Sequence, residues 1–209
     1  MIIHNEFQTL SDAELLAHFY EGDLVTSAHD KARMAINEAG GVRSFVNSVS
    51  DKNARYSIED NQAALKIKLA LEITARYLGE KLQRADALTS PDLTRKFLQL
   101  KLRDLDYEVF GCVFLDNQHR VIKLEDIFVG TIDGSAVYPR EVVKKALMNG
   151  AAAVILYHNH PSGVAEPSSA DRAITERLKK ALDLIDVRVL DHLIVGDGRC
   201  ESFAERGII

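Results

Sequence analysis

The fold of this chain is indicated most clearly by residues 151–171, which read AAAVILYHNHPSGVAEPSSAD. The segment begins with an uninterrupted apolar run, which is typical of a strand buried on both faces of a sheet. Pro161 and Gly163 end that strand. The segment closes with a helix start, because Ser168 can cap a helix and Asp171, three residues later, can complete a capping box. A buried strand, a short loop and a helix predict an α/β or α+β domain.

Two histidines at the end of this predicted strand can bind a metal ion. His158 and His160 are two residues apart, and alternate residues of a strand project to one side, so both imidazoles can face one point. The short loop and the capping box bring Asp171 beside them. Three ligands leave the fourth tetrahedral position of a zinc ion open to water, as in catalytic sites, where the pKa of that water falls to about 7. The spacing therefore predicts one zinc ion per chain, bound by these three residues.

Each part of this pattern also has a simpler interpretation. Histidines at the end of a strand are often ordinary surface residues, and Ser168 with Asp171 can serve only to begin a helix. The two features together favour the metal site, because the capping box holds a carboxylate within one short loop of the histidine pair. His192, which lies between two apolar stretches, is predicted to make a structural hydrogen bond.

Composition and charge favour an ordinary globular protein. Apolar residues make up 46% of the 209 residues and charged residues 27%. No apolar run approaches the roughly 20 residues of a membrane span, and the first residues lack the features of a secretory signal, so we expect no membrane partner and a cytoplasmic location. Cys112 and Cys200 are isolated in the sequence and predict neither a disulfide framework nor a cysteine metal site.

Residues 1–85 carry helical patterns, and we predict a small all-helical domain there. A capping box at Ser11 and Glu14 begins a short helix, and a long helix is expected over about 61–83. In the long helix, apolar residues at four-residue spacing predict a buried stripe formed by Leu65, Leu69, Ile73 and Tyr77. Residues 1–85 contain 10 Lys and Arg against 12 Asp and Glu, a net charge of −2, without the basic excess of strong nucleic-acid binders.

Residues 86–209 change to strand patterns after Tyr107 and predict the α/β domain. The expected elements are a helix from Ser90, strands near 108–115 and 120–129, a helix from Pro139 to Asn149, the buried strand at 151–157, a helix over about 168–185, and short strands near 187–195 and 199–203.

The complete metal motif resembles that of a known family. The JAMM/MPN metallohydrolases carry His-x-His, seven residues, Ser, two residues and Asp, and the matching residues here are His158, His160, Ser168 and Asp171. The sequence of residues 158–163 resembles the RadC branch, bacterial proteins historically described as DNA repair proteins. Further RadC-like segments lie at 10–16, 115–120, 130–132, 138–143 and 191–195. The resemblance implies a cytidine-deaminase-like α/β fold with a mixed sheet, and zinc-dependent hydrolysis of peptide or isopeptide bonds in a peptide or protein substrate.

The same resemblance implies two catalytic roles. Family members use a glutamate on an upstream strand, which matches Glu108; it would take a proton from the zinc water and pass it to the leaving group. The alternative is that Glu108 is a solvent-facing strand residue, since spacing alone does not single it out. Ser168 would stabilise the tetrahedral oxyanion through its hydroxyl, a role that competes with capping the helix.

The N-terminal half departs from the family pattern. RadC-like proteins carry a helix-hairpin-helix-like region whose turn contains glycines that let backbone N–H groups approach a DNA phosphate. The matching stretch, residues 56–63, has no glycine and places Glu59 and Asp60 where a phosphate would lie, so this region is degenerate and we expect weak or no DNA binding. Two functions remain: a zinc metallohydrolase, or a DNA-associated factor whose MPN domain acts mainly as a scaffold. The complete ligand set together with Glu108 favours the first.

Overall fold

The computed structural model describes residues 9–20, 25–48, 58–84, 91–130 and 137–209. The chain divides into two compact units, Met1–Thr74 and Ala75–Ile209. The division falls within one long helix. It comes before residue 85, the end predicted from the sequence for the helical domain, and that domain boundary stays a prediction. Within the described ranges, no helix is long and apolar enough to cross a membrane.

The first unit is helical in its described residues. Its elements are α1 (Asp12–Ala17), α2 (Val25–Ala39), α3 (Val42–Ser48) and the first part of α4 (Ile58–Arg84). The capping box begins α1, because Glu14 N donates to Ser11 Oγ at 3.3 Å and Ser11 N donates to Glu14 Oε2 at 2.7 Å. A small core forms between the helices, and its buried members are Leu16, Ala17, Tyr20, Ala32, Ala35, Phe45, Val46, Ala63 and Ala64.

The apolar stripe predicted on α4 is exposed. Its members are between 55% and 68% exposed, in chain order Leu65, Leu69, Ile73 and Tyr77, so the prediction of a buried stripe is wrong. The buried positions of α4 in the first unit are instead Ala63 and Ala64, whose small side chains let the helix approach its neighbours closely. Four-residue spacing identifies a face of a helix, but the packing of the other helices determines which face is covered.

The predicted hairpin at 56–63 lies partly outside the described residues. Residues 56 and 57 and the side chain of Glu59 fall outside them, and from Ile58 onward the stretch belongs to α4. Asp60 accepts a hydrogen bond from the hydroxyl of Tyr20 in the core of the first unit. That carboxylate therefore contributes to packing within the unit.

The second unit is built on a mixed sheet. Its described elements are the last part of α4, α5 (Pro91–Leu102), β1 (Val109–Leu115), β2 (Val121–Val129), α6 (Pro139–Met148), β3 (Ala153–Asn159), α7 (Ser169–Asp183), β4 (Arg188–Val195) and β5 (Cys200–Ser202). The five strands lie in the order β2-β1-β3-β4-β5. Strands β3 and β4 are parallel and joined by the crossover helix α7, whereas the other neighbouring pairs are antiparallel. The mixed α/β fold predicted from the sequence is confirmed.

Alternate residues of the central strand β3 face two separate cores. Tyr157 packs on one side of the sheet with Leu98 of α5. Leu156 packs on the other side with Leu178 of α7. Because side chains alternate along a strand, His158 lies on the same side as Leu156 and faces α7. The sheet register thus directs the first of the two histidines toward the helix that carries Asp171.

Candidate metal centre

The two histidines lie at the end of β3. His158 is 1% exposed, and its ring stacks on Phe110 of the neighbouring strand β1 at a centroid distance of 6.2 Å. His160 follows the last residue of β3, and its backbone N–H still donates to Val195 O of β4 at 2.9 Å. The extended backbone therefore continues past the strand and keeps both imidazoles on the α7 side.

The first turn of α7 positions Asp171. Asp171 N donates to Ser168 Oγ at 3.1 Å, and Ser168 N donates to Asp171 Oδ2 at 2.8 Å, which forms the capping box. Ser168 Oγ also donates its proton to Asp171 Oδ2 at 2.6 Å. The cap thus engages Oδ2 and leaves Oδ1 for His158.

The three predicted metal ligands come together at one point. His158 Nε2 lies 2.9 Å from His160 Nε2 and 3.2 Å from Asp171 Oδ1, and His160 Nε2 lies 3.5 Å from Asp171 Oδ2. A tetrahedral zinc ion with bonds of about 2.0–2.1 Å places neighbouring ligand atoms about 3.3 Å apart. These three residues form a group that could hold a metal ion, and their donor atoms fit one.

The second ring nitrogen of each histidine has a partner. His160 Nδ1 lies 2.6 Å from Val164 O, which can only accept, so His160 donates from Nδ1, and in the neutral ring Nε2 keeps a lone pair. His158 Nδ1 lies 2.8 Å from Nε2 of the buried His192. Histidines that bind metals characteristically engage the second nitrogen in this way, which sets the orientation of the ring.

The loop between β3 and α7 is held by residues near the C-terminus. Asp197 N donates to Gly163 O at 2.7 Å, and Gly163 has a φ of +80°, which glycine adopts without strain. Arg206 forms a two-point ion pair with Glu166, in which Nη2 lies 2.8 Å from Oε2. Together these contacts determine the path of the chain between His160 and Ser168.

Comparison with known proteins identifies the family. A family model described as the RadC-like JAB domain matches residues 88–208. A UPF0758 protein of Thioalkalivibrio sulfidiphilus is 55% identical over 203 residues, which cover 96% of this chain and 90% of that protein. A UPF0758 protein of Vibrio cholerae is 52% identical, covering 97% of this chain and 91% of its own length. One from Nitrosococcus oceani is 50% identical, with coverage of 96% and 90%.

This chain belongs to the RadC family. The resemblance noted in the sequence is therefore confirmed, and the JAB domain coincides with the part of the chain that carries the candidate metal centre.

The ionisable side chains of this centre act on one another electrostatically. Burial disfavours the ionised form of Asp171, but the interactions of its carboxylate with the imidazoles of His158 and His160 outweigh burial and hold the pKa of that carboxyl well below its usual range. The hydrogen bond with Asp171 raises the pKa of His160 against the effect of burial, and the charge of Glu108 adds to the rise. A metal ion that binds here must therefore compete with protons for His160.

Glu108 lies beside this ligand group and is not a member of it. Phe110 of β1 pairs with His158 of β3 in the antiparallel ladder. Glu108 lies two residues before Phe110 and therefore on the same face of the sheet, and its charge acts on His160. The carboxylate is thus close enough to influence the centre, while its role as a proton shuttle stays a prediction.

Ser168 has one hydroxyl proton, and the bond to Asp171 Oδ2 uses it. Because Ser168 Oγ donates to Asp171 Oδ2, it must be redirected before it can donate to an oxyanion. The backbone N–H of Ser168 would still hold Asp171 Oδ2 after such a change. The oxyanion role of Ser168 stays a prediction, and it would require the hydroxyl to leave Asp171.

Thr175, near the centre, was not predicted from the sequence, and His192 was predicted only to make a structural hydrogen bond. Thr175 of α7 is 1% exposed, and its Oγ1 lies 2.7 Å from His192 Nδ1. Thr175 follows Asp171 by one helical turn, so its position on the same face of α7 could have indicated it. Ordinary core residues such as Leu178 share that face, however, so the position alone does not distinguish Thr175. Burial and the neighbouring His158 lower the pKa of His192 well below its usual value.

Proposed function

We propose that the second unit is a zinc-dependent hydrolase that cleaves peptide or isopeptide bonds. The observation that carries the proposal is the convergence of His158 Nε2, His160 Nε2 and the carboxylate of Asp171. Two imidazole nitrogens and one carboxylate are a ligand set used by zinc, with one position left open. A zinc ion bound in this way supplies a Lewis acid and lowers the pKa of its water.

Glu108 is the proposed general acid and base. Its charge acts on His160, and its carboxylate would take a proton from the attacking water and give it to the leaving amine. Such a role requires that Glu108 remain outside the ligand set, which agrees with its absence from the described group of ligand atoms. The likeness of the motif to JAMM/MPN metallohydrolases supports an amide bond as the target.

Ser168 is proposed to have two successive roles. In the ground state its hydroxyl orients Asp171 through Oδ2. During the reaction the same hydroxyl would donate to the developing oxyanion, while the Ser168 N–H retains Asp171.

The metal is tested by elemental analysis of the purified full-length protein after equilibration with zinc. We expect about one zinc ion per chain, as three protein ligands of a catalytic site would hold. His160→Ala should lose the metal, and the matched control His18→Ala, which removes an exposed histidine of the first unit, should keep it. Equal zinc contents in wild type and His160→Ala would disprove the ligand assignment.

The reaction is tested on defined amides. The zinc-loaded protein is incubated with a library of unstructured peptides and with isopeptide-linked peptides, and newly formed amino groups are identified by mass spectrometry. We expect cleavage that disappears when zinc is removed and returns when it is restored. A zinc-loaded wild type that cleaves neither class would contradict the proposed peptidase activity.

A further inference from the structure

A buried chain of hydrogen bonds links two of the proposed ligands. Thr175 Oγ1 lies 2.5 Å from the main-chain oxygen of Asp171 and 2.7 Å from His192 Nδ1. His192 Nε2 lies in turn 2.8 Å from His158 Nδ1. The exposed fraction is 1% for His158 and Thr175 and 0% for His192. Water therefore does not compete for these hydrogen bonds.

The donors and acceptors permit one direction for this chain of bonds. A carbonyl oxygen only accepts, so the Thr175 hydroxyl donates its proton to Asp171 O and must accept from His192 Nδ1. A neutral His192 that carries its proton on Nδ1 presents a lone pair at Nε2. His158 must then donate from Nδ1, which leaves the lone pair of His158 on Nε2, the atom that faces His160 and Asp171.

The surroundings of His192 keep its ring neutral. The ring lies edge-on to Phe110 at a centroid distance of 5.6 Å and packs on Phe203 at 4.8 Å. In the described part of the chain its ring nitrogens hydrogen-bond to a hydroxyl and an imidazole, not to a carboxylate. A cation in such an apolar environment without a carboxylate partner would be costly.

We propose that His192 and Thr175 are positioning residues that fix the tautomer of His158 for metal binding. This inference rests on the proposed metal centre and deepens it. The chain of hydrogen bonds from Asp171 O through Thr175 and His192 to His158, called the relay below, holds the proton of His158 on Nδ1. It also fixes the plane of the ring. Without the relay, His158 could carry its proton on Nε2, where the proton would have to leave before a metal could bind.

The relay also connects elements that lie far apart in the sequence. It runs from β4 to β3 through His192 and His158, and from β4 to α7 through Thr175. A ligand on β3 and a ligand on α7 are thereby held in one hydrogen-bonded network. A purely structural hydrogen bond, as the sequence predicted for His192, would stabilise the fold without setting the protonated nitrogen of His158.

The direction of the relay is tested without any metal or variant. In zinc-free, full-length protein labelled with ¹⁵N, long-range ¹H–¹⁵N correlations of the imidazole rings distinguish protonated from bare ring nitrogens. We expect His192 to carry its proton on Nδ1 with a bare Nε2, and His158 to be protonated at Nδ1. A His192 ring with its proton on Nε2 would overturn the proposal.

The consequence for the metal is tested by competition with a chromogenic zinc chelator. Thr175→Val removes the hydroxyl and keeps the shape, and we expect zinc affinity to fall on the order of 10-fold to 100-fold, as for other partners of metal-binding histidines. Thr175→Ser restores the hydroxyl and should restore the affinity. The matched control is Thr94→Val, because Thr94 is also a buried helical threonine, at 1% exposure, and lies on α5.

The outcomes separate the relay from the metal centre. Wild type and Thr175→Val with the same zinc affinity would overturn the relay alone. A wild type that binds no zinc would overturn the metal centre and the positioning role that rests on it, even if the ring tautomers are as expected. If Thr175→Val fails to fold, the ring tautomers of the wild type still decide the proposal.

Discussion

Asp171 faces Ser168 with one carboxylate oxygen and His158 with the other. Oδ2 accepts from Ser168 N at 2.8 Å and from Ser168 Oγ at 2.6 Å, whereas Oδ1 lies 3.2 Å from His158 Nε2. Oδ2 also lies 3.5 Å from His160 Nε2. A carboxylate that is held twice at one oxygen cannot rotate freely. The start of α7 therefore orients a proposed metal ligand.

Ser168→Ala is expected to weaken both the fold and the centre. Loss of an N-cap side chain costs about 1 kcal/mol of unfolding free energy. Zinc affinity should fall as well, because Asp171 loses one of the donors that orient it. The measurements are chemical unfolding of the zinc-free protein and chelator competition.

The control for this variant is Ser11→Ala, which removes the same kind of capping box at the start of α1. Ser11→Ala should lower stability and leave zinc affinity unchanged. If Ser168→Ala binds zinc as tightly as Ser11→Ala does, the cap does not orient the ligand.

Glu108→Gln is expected to keep the metal and lose hydrolysis. The amide cannot accept the proton of the attacking water, and general acid–base catalysis typically contributes on the order of 10²-fold to 10⁴-fold in rate. Zinc content and turnover of any peptide found to be cleaved are measured side by side. The control is Asp106→Asn, an exposed acid that precedes β1. Loss of zinc in Glu108→Gln would make the carboxylate a ligand, and normal turnover would exclude the shuttle.

Arg206→Ala is expected to loosen the loop that joins the histidines to Asp171. Arg206 holds Glu166 in that loop through two nitrogens, so the variant should bind zinc more weakly than the control Arg199→Ala, which removes an exposed arginine nearby. Unchanged zinc affinity in Arg206→Ala would show that the other contacts of the loop are enough to hold it in place.

The same ion pair predicts a pH dependence of stability. The hydrogen bond from Arg206 lowers the pKa of Glu166, so the folded state favours the ionised carboxylate. The stability that this ion pair contributes to the folded state is therefore present above the usual carboxyl pKa. It is lost as the pH falls through the lowered pKa of Glu166. Thermal unfolding of zinc-free wild type and Arg206→Ala should differ at neutral pH and converge in acid. A difference that persists unchanged in acid would assign the effect to packing of the arginine.

The full-length chain is expected to bind duplex DNA weakly or not at all. Residues 1–85 carry a net charge of −2, and non-specific binding draws mainly on phosphate neutralisation, with a Kd on the order of 10⁻⁴ to 10⁻⁶ M at physiological salt for competent binders. Fluorescence anisotropy of a labelled duplex over a salt series measures the affinity. Sub-micromolar binding with a steep salt dependence would favour the DNA-associated scaffold over the hydrolase as the physiological role.

Local patterns in the sequence predicted the parts of the site that depend on nearby residues. Both capping boxes are present, because each involves a side chain and a backbone N–H three residues apart. The pairing of His158 with His160 follows from the alternation of side chains along an extended chain. Glu108 was identified through family resemblance, since nothing in its local spacing distinguishes it.

The sequence by itself determined the α/β class, the starts of α1 and α7, and the set of three residues whose donor atoms converge. These features arise from covalent geometry and hydrogen bonds within a few residues of one another. Tertiary structure alone decided that α4 exposes Leu65 and Leu69, and that His192 and Thr175 lie behind His158. Both outcomes depend on which elements pack together and in which register. The periodicity of a single helix or strand does not determine that packing.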